Sequence, residues 1–269
     1  MELRRITSTA NPRLRAALRL RGRRERDRQG LTLIDGVRET ARALSGGARL
    51  REAFYAQAHC EEQECRAVLE QLREAGVPVV ELGQEAFARL AYGDRLDGIV
   101  AVAETPLRQL RDLWLPAEPL VAVIEGVEKP GNLGAILRTA DGAGLDAVIV
   151  AETSTDLFNP NVIRASMGTI FSVPVSVAST GDVLTWLRER GIAIVAARVG
   201  GSVDYSQADY TGPVAIALGS EARGLSDAWA ELALASVHVP MLGVADSLNV
   251  SATAAVLFYE ALRQRRERP

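Results

Sequence analysis

Three short stretches carry residue types that could do chemistry. The first, Ile124 to Ala143, reads I-E-G-V-E-K-P-G-N-L-G-A-I-L-R-T-A-D-G-A and holds Asn132 and Arg138 six residues apart. Nearly two helical turns separate them, so we expect them to share roughly one helix face, where an amide and a guanidinium could orient and hold negative charge. An Asn after Pro-Gly is also a good helix cap, and a structural salt bridge would explain the arginine equally well. The second, Ile216 to Asp227, reads I-A-L-G-S-E-A-R-G-L-S-D. Glu221 there follows a buried strand, where an open α/β sheet keeps its ligand crevice, and it reads as a surface carboxylate or as one that orders a site. The third, Val237 to Gln264, holds Ser247 and Asn249 at the expected start of a helix. Either could cap it, and the partly positive first-turn N–H groups would face any pocket in front; an ordinary strand-turn-helix is the competing reading.

Other chemistries find little support. Gly131 and Gly134 follow a strand, yet neither G-x-G-x-x-G nor G-x-x-x-x-G-K-[ST] is present, which disfavours a nicotinamide-dependent enzyme. His59 and His238 are too few for a histidine metal cluster, and His238 is expected to be solvated or capped. Cys60 and Cys65 lack C-x-x-C spacing and are expected to be reduced thiols.

The elements that must position these residues follow from apolar periodicity. Near-continuous apolar runs at 120–125, 146–151, 173–177, 193–199, 214–218 and 236–241 predict strands buried on both faces of a parallel sheet. Helices are predicted at 132–143, 182–190 and from Val250 to at least Leu262. Ahead of them, strands near 31–34, 53–55, 77–82 and 98–103 alternate with helices at 11–28, 36–44, 61–75 and 85–90. Pro106, Pro116 and Pro119 amid charges mark a linker. The expected organisation is an α/β protein with a small α/β domain at 1–104, a linker at 105–119 and a doubly wound parallel-sheet domain at 120–269.

A chain of 269 residues with 48% hydrophobic content can bury two cores. Its apolar runs are shorter than the roughly 18 residues of a membrane span, and the opening lacks a signal-peptide block, so a cytoplasmic protein is expected. Charge is uneven. Residues 1–30 hold ten arginines against Glu2, Glu25 and Asp27, a local balance of +7 on a chain of net charge −3. A phosphate-binding surface would leave that asymmetry, as would a solvated helix in an arginine-biased chain with Lys129 as its one lysine.

Taken together and in this order, P-G-N-L-G-A-I-L-R-T-A, G-S-E-A-R-G-L-S and S-L-N-V-S resemble the signature motifs of the SpoU (TrmH-type) RNA ribose 2′-O-methyltransferases of the SPOUT superfamily. The likeness runs from about Leu120 to the end, and N-P-R-L-R-A-A-L resembles the opening of the ribosomal-protein-like RNA-binding domain that many members carry in front. The resemblance implies S-adenosylmethionine as cofactor, a C-terminal trefoil knot and a homodimer. It implies a reacting centre of Asn132, Arg138, Glu221, Ser247 and Asn249, and cofactor contacts from Leu218, Gly219, Val239, Met241, Ser247 and Leu248. Arg15, Arg19, Arg23, Arg26 and Arg164 are the candidate RNA contacts, with ribosomal RNA favoured over transfer RNA. Arg138 could remove the 2′-hydroxyl proton, or bind the adjacent phosphate or the developing alkoxide. A catalytically silent RNA-binding protein is the alternative. Family members usually place a glycine after the glutamate, where this chain has Ala222 and Arg223, which leaves the loop conformation open.

Overall fold

A computed structural model of the chain describes residues 5–92, 97–152, 155–230 and 232–267. It divides into two compact units, one of residues 1–106 and 156–172, the other of 107–155 and 173–269.

The first unit opens with helices α1 (Pro12–Arg19) and α2 (Arg23–Gln29). Asn11 caps α1 by accepting the Arg13 amide at 2.9 Å, with Pro12 at the first helical position. The single helix expected over 11–28 is therefore two, broken at Gly22, which stands in extended conformation ahead of α2. Beyond lie β1 (Leu31–Asp35), α3 (Val37–Ser45), β2 (Leu50–Tyr55), α4 (Gln63–Glu74), β3 (Val79–Glu81), α5 (Gln84–Leu90) and β4 (Ile99–Glu104). The sheet runs β1-β4-β2-β3, with β4 antiparallel to both neighbours and β2 parallel to β3. Leu14, Leu20, Leu33, Phe54, Phe87 and Val100 meet in its core. Cys60 and Cys65 form a disulfide across the approach to α4, which corrects the expectation of free thiols. Their Cα atoms are 5.3 Å apart, inside the range a disulfide spans, and a separation of five residues suffices to bring them there.

The second unit begins with β5 (Leu120–Glu125), α6 (Pro130–Ala143) and β6 (Ala147–Ala151). Every residue of β5 and β6 is buried, as strands covered on both faces require. The chain then leaves for the first unit through α7 (Pro160–Ala165), which packs against β1. It returns as β7 (Val175–Ala178), α8 (Thr180–Glu189), β8 (Ala193–Ala197), β9 (Val203–Asp204), β10 (Val214–Leu218), β11 (Ala235–His238) and α9 (Val250–Glu267). All seven strands are parallel, in the order β7-β6-β5-β10-β8-β11-β9. The late strand β10 sits between β5 and β8, and β11 between β8 and β9. Helix α9 packs on α6. Strand β11 ends at His238 rather than at Met241, so residues 239–249 are free to be a loop. The expected span 120–269 is interrupted, because residues 156–172 belong with the first unit.

Candidate active site

Asn132, Glu221 and Asn249 come together from three distant stretches. Glu221 lies beyond the carboxyl end of β10, Asn132 in the first turn of α6 and Asn249 directly before α9. One carboxylate oxygen of Glu221, Oε1, accepts the Asn132 amide at 2.8 Å and the Asn249 amide at 2.5 Å. Its other oxygen accepts Lys129 Nζ at 2.9 Å. The lysine, foremost by that hydrogen bond, holds the Glu221 carboxyl below the usual range, and the carboxylate in turn raises the lysine.

The capping readings divide. Helix α6 starts at Pro130 with Lys129 in the cap position, so Asn132 is not a cap and its side chain is free for Glu221. Asn249 does both jobs: its Oδ1 accepts the Ser251 amide at 2.9 Å and hydroxyl at 2.6 Å at the start of α9, while its nitrogen reaches Glu221. The cap of α9 thus falls to Asn249 and not to Ser247. The loop carrying Glu221 is closed by the Gly224 amide donating to the Ser220 carbonyl at 2.8 Å. Only Gly224 in this loop takes a left-handed φ, of +66°, so Ala222 and Arg223 fit without strain. Gly219 is irreplaceable for another reason, since a Cβ there would collide with the backbone of Gly224 and Leu225.

Two cavities meet at this loop. The larger, about 980 Å³, lies at the carboxyl ends of β8, β10 and β11 and is lined by Leu218, Gly219, Val239, Met241, Ser247 and Leu248 together. All six residues nominated for the cofactor thus face one space, of a size suited to a small-molecule ligand and with mixed apolar and polar walls. The smaller, about 600 Å³, is lined by Lys129, Asn132, Glu152, Glu221 and Arg223 among others.

Arg138 is not drawn into the cluster. It is exposed, lines neither cavity and has no hydrogen-bond partner among the described residues. Six residues at about 100° each leave it roughly 120° around the helix from Asn132, which corrects the expectation of a shared face.

Sequence reasoning missed Lys129, and it missed Glu125, which reads as the end of an apolar strand. Glu125 is buried at the tip of β5. It accepts hydrogen bonds from Thr180 Oγ1 at 2.6 Å, the Ser226 amide at 2.7 Å, Ser226 Oγ at 2.9 Å and Trp229 Nε1 at 2.9 Å. Burial pushes its carboxyl up, but these donors outweigh it and leave it below the usual range, so a fixed charge anchors the chain that follows the Glu221 loop. A carboxylate inside V-A-V-I-E-G was the available signal.

The candidate RNA contacts, all in the first unit, separate into kinds. Arg15 is exposed and has no partner among the described residues. Arg19 and Arg23 are exposed beside Glu25 and Asp27, at 3.9 and 3.5 Å. Arg26 is a correction. It is 3% exposed, donates to the Leu20 and Arg21 carbonyls at 2.7 Å and pairs with Asp156, so it presents nothing to a phosphate. Arg164 is half-buried against Asp35 at 3.0 Å.

Comparison with known proteins gives two family matches, the SpoU rRNA Methylase family over residues 119–259 and the MRM3-like substrate binding domain over 11–101. A 23S rRNA (uridine(2479)-2′-O)-methyltransferase of Streptomyces viridochromogenes is 34% identical, over 97% of this chain and 93% of its own. The crystal structure of an RNA 2′-O ribose methyltransferase is 42% identical at a TM-score of 0.86, covering 98% of this chain and 100% of that one. The AdoMet-bound rRNA methyltransferase from Sinorhizobium meliloti is 30% identical at a TM-score of 0.87, covering 97% of each.

Proposed function

The chain belongs to the SpoU rRNA methylase family, and from that premise we propose that its Glu221 cluster and adjoining cavity methylate a ribose 2′-hydroxyl of ribosomal RNA. The observation that carries the reading is the convergence of Leu218, Gly219, Val239, Met241, Ser247 and Leu248 on one cavity at whose edge Asn132, Glu221 and Asn249 are joined. Those six residues would hold S-adenosylmethionine, through backbone groups and short apolar side chains. The cofactor supplies an electrophilic methyl group. In the reaction the ribose 2′-oxygen gains a bond to that methyl carbon, the sulfur–carbon bond breaks, and the hydroxyl proton departs. DNA lacks the hydroxyl, which builds RNA selectivity into the chemistry.

The chain's own contribution is largely positioning. Glu221, ionised and with both oxygens already accepting donors, is poorly suited to receive the proton, and it acts by fixing the two amides. Arg138, a permanent cation with unused donors, serves the adjacent phosphate or the developing alkoxide, and the proton passes to water. Arg15, Arg19 and Arg23 hold the RNA backbone from the first unit.

A homodimer belongs to the same reading. Leu234, Leu242 and Val244 are exposed around the loop that lines the cavity, and a second copy would cover them. The trefoil knot is proposed on the insertion of β10 and β11 between earlier strands. No helix among the described residues is long and apolar enough to cross a membrane, which agrees with work in the cytoplasm.

The test is release of S-adenosylhomocysteine with ribosomal RNA, and with transfer RNA in parallel. Turnover with ribosomal RNA and mapping of one 2′-O-methyl site are expected. Cofactor-free RNA binding without turnover would favour the silent RNA-binding protein instead.

A further inference from the structure

We propose that Lys129 is a positioning residue for methyl transfer, holding the Oε2 side of Glu221 so that Oε1 stays open to Asn132 and Asn249; the inference rests on the activity proposed above. Two observations carry it. Lys129 is the one lysine in a chain whose other 30 basic residues are arginine, so a plain requirement for positive charge would have been met here by arginine as it is everywhere else. And the geometry at Glu221 is asymmetric: Nζ takes Oε2 at 2.9 Å, while both amides crowd onto Oε1 at 2.8 and 2.5 Å.

The difference between the two cations explains the choice. A guanidinium is a planar fork that matches a carboxylate with two parallel N–H···O bonds, and it would occupy both oxygens. The Asn132 and Asn249 amides would then compete for Oε1 with a donor that carries full charge. An ammonium is a compact point charge that can be satisfied on one oxygen. It offsets the carboxylate's charge and leaves the opposite oxygen as the common acceptor for two amides, one in the first turn of α6 and one capping α9.

The consequence reaches the reacting centre through those amides. With their nitrogens committed to Glu221, the amide orientations are set: Asn249 Oδ1 turns to Ser251, and Asn132 Oδ1 has only a 3.4 Å contact with Asn249 and so remains open. Lys129 itself is 72% exposed, so replacing it removes little packing.

The experiment compares the full-length wild type with Lys129→Arg and Lys129→Met, reading two things. One is the side-chain amide NMR signals of Asn132 and Asn249 without RNA; the other is single-turnover methyl transfer at saturating RNA and cofactor. Both variants are expected to displace the two amide signals and to slow transfer by about tenfold to a hundredfold, as removing the partner that orients a reacting group does, with KM for RNA and cofactor affinity unchanged. The arginine variant failing to rescue is the distinctive result, since it keeps the charge. Unmoved amide signals, or a wild-type rate for Lys129→Arg, would overturn the proposal. So would a raised KM for RNA at an unchanged saturated rate, which would make Lys129 a direct RNA contact. Because the amide signals are read without substrate, they judge Lys129 even if the wild type proves inactive, an outcome that would count against the proposed function alone.

Discussion

The Glu221 cluster and the arginine-rich opening are both polar regions that sequence singled out, and they fare differently in three dimensions. The cluster was found from motifs, and the structure gathers Asn132, Glu221 and Asn249 around one carboxylate oxygen although 117 residues separate the two asparagines. The opening was found by counting charge, and the four of its arginines nominated for RNA scatter into one without a partner among the described residues, two beside nearby acids of the same opening and one wholly buried. A count of charge specifies how many, whereas an ordered motif specifies where.

The largest effects should come from the cluster and from Arg138, which stands apart from it on the same helix as Asn132. Asn132→Ala and Arg138→Ala are each expected to slow single-turnover methyl transfer by about a hundredfold to a thousandfold, the scale of removing one preorganised donor, with cofactor affinity by calorimetry unchanged. A normal rate for Arg138→Ala would mean that its position away from the cluster reflects its true role, and the contrast between the regions would lose its catalytic side.

Next in size is a stability loss in the opening. Arg26→Gln leaves Asp156 unpaired in a nearly closed setting and should lower the unfolding free energy by about 3 kcal/mol in urea titrations. Weakened RNA binding with stability intact would instead return Arg26 to the RNA-facing surface.

Asp35, also in the first unit, gives an effect of similar ceiling that depends on pH. Burial pushes its carboxyl from 3.8 up to about 6, against the Tyr92 amide and Arg164, which pull it down. The folded chain therefore keeps a proton between about pH 4 and 6 that the unfolded chain has released. Stability should fall as pH rises through that window, by at most about 1.4 kcal/mol per unit, and level off above it. Denaturation of Asp35→Asn across the same range is expected to lack this component.

The smallest effects belong to the exposed arginines. Changing Arg15, Arg19 and Arg23 to Gln should weaken RNA binding and flatten log K against log salt by about 0.7 to 0.9 for each phosphate no longer neutralised. Cofactor affinity should not move. An unchanged slope would reduce the opening to a solvated face and make the contrast with the cluster complete.

Much of the frame was legible because buried parallel strands write themselves as apolar runs: 120–125 and 214–218 match β5 and β10 residue for residue. The misses share a cause. Arg26 looks like any helical arginine until Asp156, 130 residues away, is beside it. Lys129 needed the Glu221 loop in place before it had a partner, and Glu125 needed Thr180 as well as the chain that follows that loop. The two-residue strand β9 and the six-residue helix α7 are too short for a period to register. Side-chain pairings at long range leave no local rhythm, so motifs recovered them only where a family resemblance stood behind the letters.

The excursion of residues 156–172 into the first unit bears on domain exchange. Phe158, Val162, Ile163 and Phe171 are buried there, the Thr32 hydroxyl donates to the Phe158 carbonyl at 2.6 Å, and Arg42 donates to the Met167 carbonyl at 2.7 Å. Those residues fall inside the stretch that matches the methylase family, so the front unit's interior is completed by sequence that travels with the back one. A foreign residue 1–106 segment joined to this chain at the proline-rich linker would bring its own core but leave Phe158 and Val162 against side chains they do not match. Substitutions at 156–172 are therefore constrained by the front unit, and replacing that unit with a foreign one would need two grafts rather than one.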